Sequence, residues 1–232
     1  MDKVGELLKQ AFQIYKNRIG VFLVISIIPF LASLVFAPLF LIPLLLGLPI
    51  ILFYKGLGLV LLIPLILVTV VLAIAIFIVN LWAGVSLLYA IKERDQEIGI
   101  RESFAKARPK ILSYWWISIL VGLITMLGFI LLIVPGIIFS VWFSLAAYVL
   151  VSEEKKGMKA LLRSKELVKG YWWKIFWRLL VLSFVVFLIA YIAGFIPFVK
   201  NIIYIFITPF SVTFSFLIYE NLKKLKCSKL IT

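Results

Sequence analysis

The stretch "GMKALLRSKELVKGYWW" (residues 157–173) lies between two long apolar runs, and its reading decides how the chain is arranged. Leu161, Ser164 and Val168 recur at offsets 0, 3 and 7, which puts them on one face of an α-helix. Lys159 and Arg163 stand on the opposite face, with Lys165 and Lys169 along its flank. A helix divided in this way lies along a membrane surface with its cations toward the headgroups. Tyr171, Trp172 and Trp173 follow, and Tyr and Trp favour the membrane–water boundary. Lys174 and Arg178 come after the aromatics and can snorkel back to the surface on their long stems. The stretch therefore predicts a surface helix over 157–169 that leads into a membrane span.

The rest of the chain supports that setting. Of its 232 residues, 65% are hydrophobic, and the mean hydropathy is +1.20. Between Gly20 and Ala90 the only charged residue is Lys55. So long an apolar run exceeds what the core of a small soluble domain can bury, whereas a span needs only roughly 20 apolar residues. Alternating apolar/polar ten-mers, the signature of a membrane β-barrel, are absent. The predicted class is an all-α polytopic membrane protein. The net charge of +14 belongs to basic residues beside the spans and does not predict a nucleic-acid partner. There is no His, and Cys227 is the only Cys, which excludes an intrachain disulfide and a His- or multi-Cys metal site. No cofactor fingerprint is present. Asp2 and Glu6 interrupt the basic start, so residues 1–18 are not read as a cleaved signal peptide.

Charge falls into four islands: residues 1–18, 92–110, 153–178 and 220–232. Lys55 and Lys200 alone among the 24 Lys and Arg stand outside them. The middle apolar separator divides at Pro135-Gly136, and the third divides near Pro197, Lys200 and Asn201. Each of these reads as a hairpin of two spans, which puts all four islands on one side. The first separator is too long for a simple hairpin and is punctuated by Pro29, Pro38, Pro43, Pro49 and Pro64. Parity between two basic islands favours two crossings plus an apolar insertion at about residues 37–66, re-entrant or interfacial. About six spans result. The positive-inside rule then places both termini in the cytoplasm of a cell-membrane protein.

The islands repeat. Leu8, Ala11 and Tyr15, then Phe104, Ala107 and Ile111, match Leu161, Ser164 and Val168 in spacing and in large–small–large size. Each set lies in a cationic amphipathic segment, 4–17, 99–108 or 157–169. The separators also end alike, with a Tyr and then charge, and Trp82 and Trp142 each stand eleven residues before a Glu, Glu93 and Glu153. The chain reads as a single membrane domain of three units, 1–95, 96–154 and 155–226. Each unit is a surface helix followed by a transmembrane hairpin.

Within "LLIVPGIIFSVWFSLAAYVLVSEEKKGMKALLRSKELVKGYWWKIF", Pro135-Gly136-Ile137, Glu153 and the string Ala160, Leu161, Arg163, Ser164, Leu167, Lys169 and Gly170 resemble a pattern of YciC-like bacterial membrane proteins. The pattern also occurs in the membrane domain attached to some glycerophosphoryl diester phosphodiesterases. The match covers about residues 128–178. The resemblance implies a six-span or similar helical domain and no particular activity. The soluble phosphodiesterase domain has no counterpart here, so that activity is not expected.

Residues suited to catalysis are few. Glu153 and Glu154 read more simply as solvated charges, or as helix-end contacts to neighbouring Lys, than as a base or a metal site. Asn80 is the most polar side chain in mid-span and reads as an interhelical hydrogen bond. Ser140, Ser144, Ser211, Thr213 and Ser215 read as packing contacts rather than as a cavity lining. Arg163, Lys169, Lys174 and Arg178 are the candidate contacts to a lipid phosphate, with Arg offering a bidentate fork. The expectation is a non-enzymatic membrane protein that engages anionic phospholipid or another amphiphile at its cytoplasmic face, to organise or move it. The alternative is a scaffold or accessory subunit that binds another membrane protein.

Overall fold

The computed structural model describes residues 4–53, 58–96, 98–195 and 199–231. Among them it is helical with no strand. Helix α1 (Val4–Asn17) has Glu6 in its first turn and Lys16 in its last, which suits the helix dipole. It buries Leu7, Ala11 and Tyr15. At Arg18 the chain bends by 82° into α2 (Ile19–Phe53), so α1 lies across the end of the bundle. The Arg18 guanidinium holds this bend in place. It donates to the carbonyl of Ala90 at 3.4 Å and to that of Ile98, covering backbone acceptors that the end of a helix leaves open.

Helices α2 and α3 (Gly58–Lys92) have 35 residues each and pack along one another as a hairpin. The expected insertion at 37–66 is not a separate element. Residues 37–53 continue α2 and 58–66 begin α3. The prolines fail to break these helices because a bundle can re-satisfy a carbonyl that a proline frees. At 1.5 Å per residue each helix runs about 52 Å, so the hairpin tilts in, or projects beyond, a hydrocarbon core about 30 Å thick. Lys55, within the expected insertion, and Pro197, expected at the outer turn of the third hairpin, lie outside the described residues, as do the side chains of Lys200 and Asn201.

In the second unit, α4 (Ile100–Ala107) passes through a 3-10 turn, Arg108–Lys110, into α5 (Ile111–Leu131). Pro109 ends the α-helical pattern by lacking an N–H, while Arg108 before it keeps right-handed helical angles. The hairpin reverses at Leu132, which is extended, and not at Pro135-Gly136. Those two residues fall in the first turn of α6 (Ile133–Phe143), where a helix tolerates a missing N–H. Gly128 and Gly136 let the two arms close. A Cβ on Gly128 would sit 2.9 Å from the Gly136 backbone, and one on Gly136 would sit 2.5 Å from the Phe129 ring.

After a break at Ser144-Leu145 the chain resumes as α7 (Ala146–Glu153), then α8 (Met158–Val168), α9 (Trp172–Ala193) and α10 (Val199–Ile231). Gly170, at φ +89°, turns α8 into α9 through a backbone region that disfavours a Cβ. The segments predicted at 4–17, 99–108 and 157–169 are thus all helical. The middle member of each repeated set, Ala11, Ala107 and Ser164, is completely buried. All four charged islands meet at one end of the bundle, as the parity argument required. Arg94 reaches Glu220, Lys106 reaches Glu93, Arg163 reaches Glu153 and Lys226 reaches the Lys169 carbonyl. The far tip of the second hairpin is uncharged, with Leu131 73%, Leu132 69% and Ile133 70% exposed, a surface that suits lipid and not water.

Candidate functional site

The charged end contains two distinct features, an ionic hub and an aromatic groove. The hub is centred on Glu153, the last residue of α7. Its carboxylate accepts from Arg163 Nε at 3.0 Å and from the Tyr219 hydroxyl at 3.1 Å, and pairs with Lys155 at 3.3 Å. Arg163 also donates from Nη1 to Glu166 at 3.2 Å. Burial works against the Arg163 charge, but the hydrogen bond to Glu166 and the nearby Glu153 more than offset it and hold its pKa above the ordinary value. Glu153 is therefore a half-buried junction of α7, α8 and α10; its reading as a helix-end contact to a neighbouring Lys holds for Lys155, and its reading as a solvated charge does not. Nothing near it in sequence pointed to Tyr219.

Next to the hub, Ser164 of α8 enters the break between α6 and α7. Its hydroxyl donates to the Trp142 carbonyl at 2.6 Å and accepts from the Leu145 N–H at 3.2 Å. It thereby satisfies backbone groups that the break has freed. Lys165 stands 4.4 Å over the Trp142 ring. Arg163 and Ser164, both in the string that carries the family resemblance, hold α8 against the second hairpin.

The groove lies between α6 and α9, at the end where α8 turns into α9. Its volume is about 610 Å³. Ile137, Trp142, Trp172, Trp173 and Phe176 wall it, and Lys169 with Gly170 forms its polar rim. Trp172 stacks on Phe176 at 5.1 Å with ring planes 7° apart, which fixes one wall. The four cations predicted as headgroup contacts do not form one site. Lys169 lines the groove and Lys174 is exposed one turn beyond it. Arg163 is engaged by Glu153 and Glu166, and Arg178 is buried, with 5% of its surface exposed.

The junctions follow a common plan. Trp82 of α3 packs edge-on against Phe104 of α4 at 5.3 Å and donates to its carbonyl at 2.8 Å, while Lys106 pairs with Glu93. Trp142 and Glu153 meet α8 in the same way, through Ser164, Lys165 and Arg163. Phe210 of α10 meets Tyr15 of α1 edge-on at 6.2 Å. There Glu220 pairs with Arg94 at 3.0 Å, and Gln10 stands where Lys106 and Arg163 stand in the other two repeats. A polar pocket of about 350 Å³, lined by Gln10, Gln13, Asn17, Asn221 and Lys224 among others, is left between α1 and α10.

Asn80 does not make the expected interhelical bond. Its amide donates to Ile76, one turn back on its own helix, at 2.8 Å. Ser140, Ser144 and Thr213 likewise bond carbonyls of their own segments.

These features define an all-α, multi-pass membrane protein. Among the described residues five helical segments are long and apolar enough to cross a bilayer: Ile66–Lys92, Ile100–Leu131, Ile133–Glu153, Trp172–Ala193 and Ile202–Ser228. The bent pair Val4–Asn17 and Ile19–Val35, counted as one span, makes six. No family model, curated protein or solved structure matches the chain.

Proposed function

We propose that this is a non-enzymatic protein of the cell membrane that holds an anionic phospholipid or similar amphiphile at its charged end. The observation that carries the proposal is the groove between α6 and α9. It has apolar, aromatic walls deep enough for part of an acyl chain and a cation, Lys169, at the rim where a phosphate would sit. An amphiphile has the same division. The ionic hub serves this reading by fixing α8, and so Lys169, against the second hairpin. The excess of Lys and Arg at this end supports a cytoplasmic orientation with both termini inside. Kinship with the YciC-like proteins is part of the same proposal. It is supported by the placement of Arg163 and Ser164, two residues of the shared string, at the contacts that hold α8.

Purification in lipid nanodiscs followed by native mass spectrometry tests the proposal. A stoichiometric phospholipid of one headgroup class is the expected result. A stoichiometric protein partner without such a lipid would favour the scaffold reading.

A further inference from the structure

A second cleft, of about 400 Å³, lies between α2, α3 and α10, away from the groove and the hub. Ser26, Ser33, Asn80, Tyr204 and Thr208 are its polar lining. Asn80 is twelve residues before the end of α3, so it lies about 18 Å along the helix from the charged end, near the middle of a bilayer core about 30 Å thick. Polar groups at that depth have no water to satisfy them and mark function by default.

Among the described residues the cleft is lined by uncharged polar groups, several of them acceptors. Ser33 donates its proton to Pro29 O at 2.8 Å, and Thr208 donates to Tyr204 O at 2.7 Å, so each offers only lone pairs outward. The Asn80 amide donates to Ile76 O, and its oxygen meets no donor among the described residues. One helix carbonyl adds to these: Pro209 in α10 supplies no N–H to the residue four back, Ile205, which lines the cleft. Ser26 Oγ is buried there with no partner among the described residues. Among the described residues no Lys, Arg, Asp or Glu lines the cleft.

Uncharged hydroxyl, amide and carbonyl groups in an apolar setting call for a ligand that is itself mostly apolar and carries a hydroxyl. We infer that this cleft binds the hydroxyl end of a neutral lipid, a class of which diacylglycerol is the simplest probe. A phosphate-bearing lipid is disfavoured because its negative charge would meet no Lys or Arg among the described lining residues. This ligand class is separate from the anionic amphiphile proposed for the other groove.

The full-length protein is placed in phosphatidylcholine nanodiscs containing a small fraction of a diazirine-bearing diacylglycerol, illuminated and mapped by peptide mass spectrometry. Label is expected to concentrate on residues 25–33, 80–87 and 204–208. Asn80→Leu lowers it at least fivefold. Ser33→Phe, which fills the cleft from an exposed position and leaves Asn80 intact, does the same. A phosphatidic acid probe with the same chains labels these residues at least fivefold less. Lys169→Gln, which acts on the other groove, leaves the diacylglycerol label within twofold. Label spread evenly onto lipid-facing positions such as 66–71, label undiminished in both cleft variants, or equal labelling by the phosphatidic acid probe would overturn the assignment.

Discussion

The junction of α7 with α8 and the junction of α10 with α1 are built on one pattern, yet one is sealed and the other open. Both pack a return helix against the amphipathic helix of another unit. At the first, Arg163 spans Glu153 and Glu166 while Ser164 bonds across the break at Ser144-Leu145. At the second, Gln10 takes the place of Arg163, and Glu220 draws Arg94 from the loop after α3. One uncharged side chain at a repeated position thus separates an ion-paired contact from a polar pocket. Repeat helices can share buried residues and still differ in what they leave accessible, because the small buried residue sets docking and its neighbour sets the chemistry.

Ser164→Val should separate the two junctions most. It leaves the Trp142 carbonyl and the Leu145 N–H buried without their partner, at a cost of about 2–4 kcal/mol in unfolding experiments in detergent. Ala11→Ser, at the equivalent position of α1, should cost clearly less, and equal losses would remove the distinction. Glu153→Gln comes next, because a hydrogen bond to a charged group contributes about 1.5–3 kcal/mol. Arg163→Lys keeps the charge but loses the fork that spans both carboxylates, and should give about half that loss. Thermal unfolding of the four variants side by side checks the order. The smallest effect should come from Gln10→Arg, which adds a second cation beside the Arg94–Glu220 pair and changes stability by less than about 1 kcal/mol in the favourable direction. A marked loss there would mean that Gln10 does not share the register of Arg163.

The parts of this architecture that were legible in the sequence are those set by periodicity. Ala11, Ala107 and Ser164 repeat at the same place in three amphipathic segments, and all three are buried. The charged islands were legible too, because each pair of spans returns the chain to the same side. Pro38, Pro43 and Pro49 misled because breaking a helix costs more in lipid, where every freed polar group needs a partner, than keeping a proline in it. Pro135-Gly136 was taken for the turn because both residues interrupt helices, but Leu132 makes the reversal and the glycine serves close packing. Arg163 looked like a phosphate ligand because its fork suits phosphate. The carboxylates that take it up, Glu153 and Glu166, lie ten residues before it and three after it, and only the fold aligns them. The groove was half legible. "YWW" announced its aromatic wall, whereas Ile137 and Trp142 reach it through the hairpin.

Orientation has a direct check. Single cysteines on a Cys227→Ser background should be labelled from the cytoplasmic side at positions 96, 156 and 228, and from the outside at position 55. Opposite sides for 96 and 156 would contradict the junctions, which bring both regions to one end.

Lipid retention tests the account most directly. Lys169 rims the groove, whereas Lys156 is an exposed charge of the same sign in the loop before α8. Native mass spectrometry from nanodiscs containing anionic and zwitterionic phospholipid compares Lys169→Gln with Lys156→Gln at matched thermal stability. A charge near the membrane surface contributes about 1 kcal/mol, roughly fivefold in affinity. The account predicts that Lys169→Gln loses at least fivefold of the retained anionic phospholipid and Lys156→Gln less than twofold. Equal losses in the two variants would mean that the charged end attracts lipid only by its total charge, and would contradict a built site at the groove.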